Sequence, residues 1–287
     1  MRTLSMDSWK ARNAENHARP PRSSGAARSV WRWMNDRIEV TAVNLPVRGL
    51  PPRCAGLVAC QLSDLHVDSL EDLERLKNAV SIIKERRPDL VFLTGDYFTA
   101  AGSMVSYLGE VCRALKEIQS PLGLYAVTGN HDHAASFWAI QRALAEAGVR
   151  LLENRNHPIE VRRSRIHIVG IGDLWSRRAQ PWRAFRGLGP GDCTIVLVHN
   201  PDTVIYARHL APGVVVSGHT HGGMIRFPIY GSPIRSYLRI GRKFYSGLNR
   251  YRDFYIYTNR GLGTFPLGVR VNCPPEVSMF KLVAASG

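Results

Sequence analysis

The chain has 287 residues and 45% hydrophobic content, enough for a sizeable core in one large α/β domain or two small ones, which excludes a disordered chain. A net charge of +15, from 38 basic and 23 acidic residues, favours anionic partners (nucleic acid, acidic lipid or phosphorylated substrates) and is silent on fold. The five cysteines, Cys54, Cys60, Cys112, Cys193 and Cys273, are odd in number and lack C-x-x-C spacing, so reduced thiols in a cytoplasmic setting are expected rather than a disulfide framework or thiol chemistry.

Residues 1–37 read as a basic tail: "ARPPRSSGAARS" is rich in Pro, Gly, Ser and Arg and has no periodicity. No signal peptide is expected in the N-terminus as written, and no run approaches the ~20 apolar residues of a membrane helix. Residues 38–287 are expected to form one domain of alternating strands and helices. "GLVACQLSD" predicts a strand running into Asp64. "SLEDLERLKNAVSIIKERRPD" predicts an amphipathic helix with Ser69 and Asp72 as its capping pair, an apolar stripe of Leu70, Leu73, Leu76, Val80 and Ile83, and a stop at Pro88. "LVFLTGD" is a buried strand ending at Asp96, followed by a helix near Val105–Ile118. "LYAVTGNHD" is the next strand, followed by a helix near Phe137–Ala147. "IHIVGIGD", "TIVLVHN", "GVVVSGHTH", "FYIYTN" and "EVSMFKL" continue as strands with no clear helix between the last two. The pattern is α/β in the first half and richer in β in the second.

The residues that follow these strands carry the chemistry. Asp64 and His66 follow the first, Asp96 the second, and Asn130, His131 and Asp132 the third; His199 follows "TIVLV", and His219 and His221 follow "VVVSG". Loops at the carboxyl ends of strands in α/β sheets form ligand crevices, so five strand ends deliver Asp, His or Asn toward one place. In "SGHTHGG" the two histidines share a face of an extended segment, and the glycines keep the loop low beside a crowded cluster. Carboxylate, imidazole and carboxamide without thiolate suit Mn, Fe or Zn, and there are enough ligands for two divalent ions sharing a carboxylate. Two such ions clamp the attacking and leaving oxygens of an in-line displacement, the chemistry of phosphate ester hydrolysis. Two divalent cations, two carboxylates and a bridging hydroxide leave +4 − 2 − 1 = +1 to attract a phosphate.

The order D-x-H, G-D, G-N-H-D, H, G-H-x-H, with 96 − 66 = 30 positions from His66 to Asp96 and 219 − 199 = 20 from His199 to His219, resembles the metallophosphoesterase (calcineurin-like phosphoesterase) superfamily over roughly Ile38–Leu282. Late segments "NRGLG" and "CPPEVSMFKL" look most like a branch of small, often membrane-associated bacterial phosphoesterases, similar to some UDP-diacylglucosamine pyrophosphatases. The resemblance implies an α/β fold of metallophosphoesterase type, a β-sandwich flanked by helices with a dimetal site at the carboxyl ends of strands. It implies that Asp64, His66 and His221 bind one metal, that Asn130, His199 and His219 bind the other, and that Asp96 bridges, with manganese favoured. It places His131 beside the scissile phosphate, oriented by Asp132. Met224 stands where relatives often carry glutamine, which puts a polar contact near the substrate mouth in question.

Several residues keep two readings. Arg260 could hold a phosphate oxygen or form an ordinary salt bridge, and His133 either lines the cleft or is a solvated loop residue. Met224–Val271 holds nine basic residues, one acidic residue (Asp253) and ten Phe or Tyr, so it is either core plus a solvated face or a cationic, aromatic rim that docks on anionic lipid at the inner membrane surface. Expected partners are therefore a phosphorylated substrate, lipid-linked on the second reading, and an anionic membrane surface. An amidohydrolase also uses H-x-H, but on the first strand of an eight-unit barrel. A non-enzymatic scaffold would have lost ligands, and no nucleic-acid-binding motif is visible, although a phosphomonoesterase or nuclease on the same centre stays open.

Overall fold

The computed structural model describes residues 37–228, 231–232 and 238–285. The expected tail at 1–37 lies outside these residues except for Arg37, and so does part of the basic, aromatic segment.

Two six-stranded sheets pack face to face. The first has the order β1 (Glu39–Val47), β12 (Glu276–Ala284), β2 (Val58–Leu62), β3 (Leu90–Thr94), β4 (Leu124–Val127) and β5 (Val149–Leu151). Its β2–β5 strands are all parallel, connected by α1 (Leu70–Arg86), α2 (Ala101–Lys116), the short α3 (Asn130–Ala135) and α4 (Phe137–Glu146). The second has the order β10 (Gly247–Tyr251), β11 (Phe254–Thr258), β9 (Val214–Ser217), β8 (Thr194–Leu197), β7 (Ser164–Gly170) and β6 (Arg155–Val161). Two one-turn helices, α5 (Pro181–Ala184) and α6 (Val204–Ala207), lie in its connections.

The continuous apolar runs follow from strands buried on both faces. In β3, Phe92 joins the core between the sheets while Val91 and Leu93 pack with the helices. In β8 and β9, Ile195, Leu197, Val214 and Val216 face the same inter-sheet core, and Val196 and Val215 pack on the outer side with Ala184 and Val204. The sandwich with flanking helices is the architecture expected from the sequence. A buried amide ties the two sheets near their ends: Gln61 Nε2 donates to Thr94 Oγ1 at 2.8 Å and to the Ser217 carbonyl at 2.9 Å.

Helix α1 starts as the capping pair predicts, with Ser69 Oγ accepting the Asp72 N–H at 3.2 Å, and ends at Arg86, two residues before Pro88. Leu73, Leu76, Val80 and Ile83 are buried, but Leu70, at the first helical position, is 69% exposed. Helix α2 begins four residues earlier than expected. The hairpin partners β6 and β10 and the α3 turn were not anticipated: β6 and β10 bury few of their residues, and α3 is too short to show a helical period.

Candidate metal centre

The carboxyl ends of β2, β3 and β4 in one sheet and of β8 and β9 in the other converge. Backbone bonds lock the ends together: the Asp64 N–H donates to the Gly95 carbonyl at 2.9 Å, and the Gly218 N–H to the His199 carbonyl at 3.0 Å. Two groups of buried side chains result, Asp64 with His66 and His221, and Asp96 with His199 and His219, each with potential ligand atoms within 4.8 Å of one another. Asp96 Oδ2 stands between them, 3.7 Å from His66 Nε2 and 3.1 Å from His199 Nε2, while His221 Nε2 lies 3.4 Å from Asp64 Oδ1.

The backbone is bent to make this cluster. Asp64, His66, Asp96, His219 and His221 all have positive φ, between 41° and 72°. Such conformations cost of order 1–3 kcal/mol each and persist only where the surroundings over-determine them. Gly218 shows how tightly the loops meet: a methyl there would fall on Ser63 Oγ and Asp64 Oδ2. Both Asp64 oxygens in turn accept the His219 N–H, at 3.0 and 2.9 Å.

Outer contacts set the imidazoles. His66 Nδ1 meets Thr99 Oγ1 at 2.9 Å, and His199 Nδ1 meets the Thr94 carbonyl at 2.7 Å, turning each Nε2 inward. His66 Nε2, His221 Nδ1 and Asn130 Oδ1 are buried with no hydrogen-bond partner among the described residues. Burial pushes His66 down to about 4 and His219 to about 3, and holds His221 well below the usual imidazole value, so these rings are neutral, the form that ligates metal. Burial opposes charge at Asp96 and His199 as well, but their mutual attraction outweighs it: Asp96 is held low and His199 is pushed up. Burial raises Asp64 to about 6. Unpartnered buried imidazole nitrogens and an amide oxygen around two carboxylates, with no thiolate among them, fit two hard or borderline divalent cations.

His131 borders the cluster, half-buried, with its ring edge-on to His66 at 5.1 Å. Its N–H donates to Asp96 Oδ1 at 2.9 Å, and its ring Nδ1 meets the Thr99 carbonyl at 2.9 Å. The expectation that Asp132 orients the His131 ring is corrected: Asp132 is fully buried and accepts the backbone N–H groups of Asp96, Tyr97 and Gly129, so the orienting group is Thr99. Arg260 forms the salt bridge: its guanidinium meets Glu276 at 3.1 Å, Glu39 at 3.2 Å and Thr41 at 3.1 Å. Met224 is buried, 1% exposed. His133 is half-buried, 3.0 Å from Thr128 Oγ1 and stacked on Phe137, so it is not a solvated loop residue.

Sequence reasoning missed two neighbours. The Phe265 ring stacks on His66 at 5.0 Å and stands edge-on to His131 at 4.9 Å. Arg270, fully buried, donates to the carbonyls of Gly263, His221, Cys273 and Arg260, stapling the H-x-H loop to the loop that bears Phe265. Only contacts across long sequence separations reveal either.

The calcineurin-like phosphoesterase family model matches residues 58–223, which contain every residue of both groups. The chain belongs to that family. This phosphoesterase is 34% identical to phosphodiesterase YaeI of Escherichia coli over 226 residues, 77% of this chain and 80% of that protein. It is 30% identical to YkuE, an uncharacterized metallophosphoesterase of Bacillus subtilis, over 85% of each chain. It is 26% identical to the UDP-2,3-diacylglucosamine pyrophosphatase LpxG of Chlamydia muridarum, over 88% of this chain and 92% of that one. The protein is a metal-dependent phosphoric ester hydrolase whose residues form a dimetal-type site. No helix among the described residues is long and apolar enough to cross a membrane.

Proposed function

We propose that this phosphoesterase hydrolyses a phosphodiester or pyrophosphate bond in a lipid-linked substrate, at a centre in which Asp64, His66 and His221 hold one ion, Asn130, His199 and His219 the other, and Asp96 is shared, with manganese the favoured metal. The carrying observation is the position of Asp96 Oδ2 between His66 Nε2 and His199 Nε2, at 3.7 and 3.1 Å. When bound, two divalent ions supply Lewis-acid charge and lower the pKa of a water.

The chain's own residues position and protonate. The Thr99 carbonyl accepts from His131 Nδ1, which fixes the proton there and leaves Nε2 for an oxygen of the substrate. With Nε2 protonated as well, His131 would from that position either hand the Nε2 proton to the leaving group, keeping the one on Nδ1, or stabilise charge on the phosphoryl oxygens. The names of YaeI and LpxG support a diester or pyrophosphate over a monoester. Support for a lipid-facing rim comes from Arg239, Arg242 and Lys243, all exposed, on a segment joined to the metal loop by Thr220 Oγ1 and the Tyr245 carbonyl at 2.6 Å. Of the eight Phe and Tyr described in that stretch, Phe244, Phe254 and Tyr257 are buried, Tyr245, Tyr251, Tyr255 and Phe265 are partly buried, and Phe227 is 50% exposed.

The test is a hydrolysis panel with added manganese: p-nitrophenyl phosphate, bis-p-nitrophenyl phosphate, a UDP-sugar lipid and duplex DNA, with wild type and Asp96→Asn. The expected result is preferential turnover of the diester or the UDP-sugar lipid, lost together with bound metal in Asp96→Asn. Faster turnover of the monoester, or degradation of DNA, would move the assignment to a phosphomonoesterase or a nuclease. An Asp96→Asn protein with two bound ions and near-normal rate would remove Asp96 from the shared position.

A further inference from the structure

A groove of about 300 Å³ opens beside the centre, between the start of α4 and the loop running from Asp173 to Arg183. It is joined to the metal cluster at both walls. On one wall His133 lies three residues past Asn130 on α3; on the other, the loop that supplies Arg178 and Gln180 also carries Trp175, whose ring meets the His219 ring edge-on at 4.3 Å.

The groove is aromatic and cationic. Phe137 lies parallel to His133 at 5.1 Å with an interplanar angle of 2°, and Trp138 stands edge-on to Phe137 at 5.2 Å while remaining 76% exposed. Arg155, Arg178 and Arg183 line it, all exposed, and none forms an ion pair among the described residues. Glu153, the one carboxylate of the lining, accepts from Thr128 Oγ1 at 3.1 Å, and burial raises its pKa. Gln141 Oε1, also in the lining, is buried without a hydrogen-bond partner. An acyl chain would have no use for three guanidinium groups and an amide edge, and a sugar phosphate would bring neither a π-face nor an N–H edge to them. A planar ring with N–H donors, carried on a phosphate, matches every wall.

We infer that this groove is a nucleotide subsite: the base stacks on Trp138 and Phe137 and meets Gln141, and the arginines pair the phosphate that continues toward the dimetal centre. As the place where the non-reacting part of the substrate binds, it rests on the phosphoesterase reading; as a binding site it does not.

The test separates the two. UDP, inorganic pyrophosphate and an eight-residue oligothymidylate are titrated calorimetrically into full-length protein in EDTA, with wild type, Trp138→Ala, Trp138→Phe and Arg178→Glu/Arg183→Glu. UDP is expected to bind at least tenfold tighter than pyrophosphate. Trp138→Ala should weaken UDP by roughly 5- to 100-fold, the range for loss of a base–aromatic stack, and Trp138→Phe should restore most of the affinity. The double arginine variant should weaken UDP and flatten its salt dependence. With manganese, the thymidine 5′-monophosphate p-nitrophenyl ester should show a raised KM in the variants, and bis-p-nitrophenyl phosphate should not. Equal binding of UDP and pyrophosphate, or UDP affinity indifferent to Trp138, overturns the subsite even if bis-p-nitrophenyl phosphate is hydrolysed. Hydrolysis of neither ester overturns the phosphoesterase reading and leaves the EDTA titration to decide the groove. Tighter binding of the oligothymidylate than of UDP keeps the nucleotide subsite and assigns its source to a strand.

Discussion

The Asp132 carboxylate accepts the backbone N–H of Asp96 at 2.8 Å, and the same side chain accepts those of Tyr97 and Gly129, each at 2.8 Å. One buried acid on α3 thereby holds the turn after β3 against the turn after β4, and it holds Asp96 in its left-handed conformation at φ 55°. Asp132→Asn turns an acceptor of three bonds into a group that must present N–H to N–H. Leaving a buried donor unsatisfied costs about 1–3 kcal/mol. The variant should lose that much stability in urea unfolding and bind less metal by elemental analysis. A variant with wild-type stability and full metal, slowed only in turnover, would return Asp132 to the role of orienting His131.

His131 and Phe265 are expected to separate chemistry from assembly. His131→Ala should keep its metal and lose about 10²–10⁴-fold in kcat, the usual share of an acid–base group. Metal analysis showing an emptied site would instead make His131 a ligand. Phe265→Ala removes a stacked neighbour of His66 and an edge contact to His131, each worth about 0.5–1.5 kcal/mol. It should lower kcat/KM by roughly tenfold or less, and Phe265→Tyr should recover it. If Phe265→Ala hydrolyses bis-p-nitrophenyl phosphate at the wild-type rate, the ring is packing only.

Metal removal should be visible as stability. A ligand present at a hundred times its Kd adds about 2.7 kcal/mol to the folded state, and buried neutral imidazoles around Asp64 and Asp96 have most to gain from a cation. The thermal midpoint should rise on adding manganese and fall with EDTA. Gly218→Ala, whose methyl displaces Asp64, should show a smaller manganese shift. A midpoint identical in EDTA and manganese would sink the metal assignment independently of any rate.

The clustering of Asp64, His66, Asp96, His199, His219 and His221 was legible because each sits within a few residues of the end of an apolar run, so one-dimensional order carried the three-dimensional cluster. The strands were legible for a related reason: runs such as "LVFLT" and "TIVL" are buried on both faces and show little else, while their arrangement as a sandwich was implied by the family resemblance. What stayed hidden depends on pairing across distance. Thr99 turns two histidines from 33 and 32 positions away, and Arg270 staples a loop 49 residues earlier. Asp132 was placed correctly in the motif and misread in role, because the sequence cannot tell an acid bonded to a neighbouring ring from one bonded to backbone N–H groups.

The basic rim makes the last prediction. Arg239, Arg242 and Lys243 are exposed, while the backbone beneath them is fixed: Asp202 accepts the N–H groups of Arg239 at 2.9 Å and Ile240 at 3.0 Å, and Phe244 is buried. Changing all three side chains to Glu should therefore leave the fold intact. Each Lys or Arg near an anionic surface adds about 1 kcal/mol, so three together amount to about a hundredfold in partitioning. Wild type should co-sediment with anionic vesicles at low salt, release as salt shortens the screening length, and ignore neutral vesicles. The triple variant should stay in the supernatant with unchanged hydrolysis of bis-p-nitrophenyl phosphate. Wild type that ignores anionic vesicles at low salt, or a triple variant that still binds them, would reject the rim as a lipid-facing surface and leave its charge to a water-soluble anion.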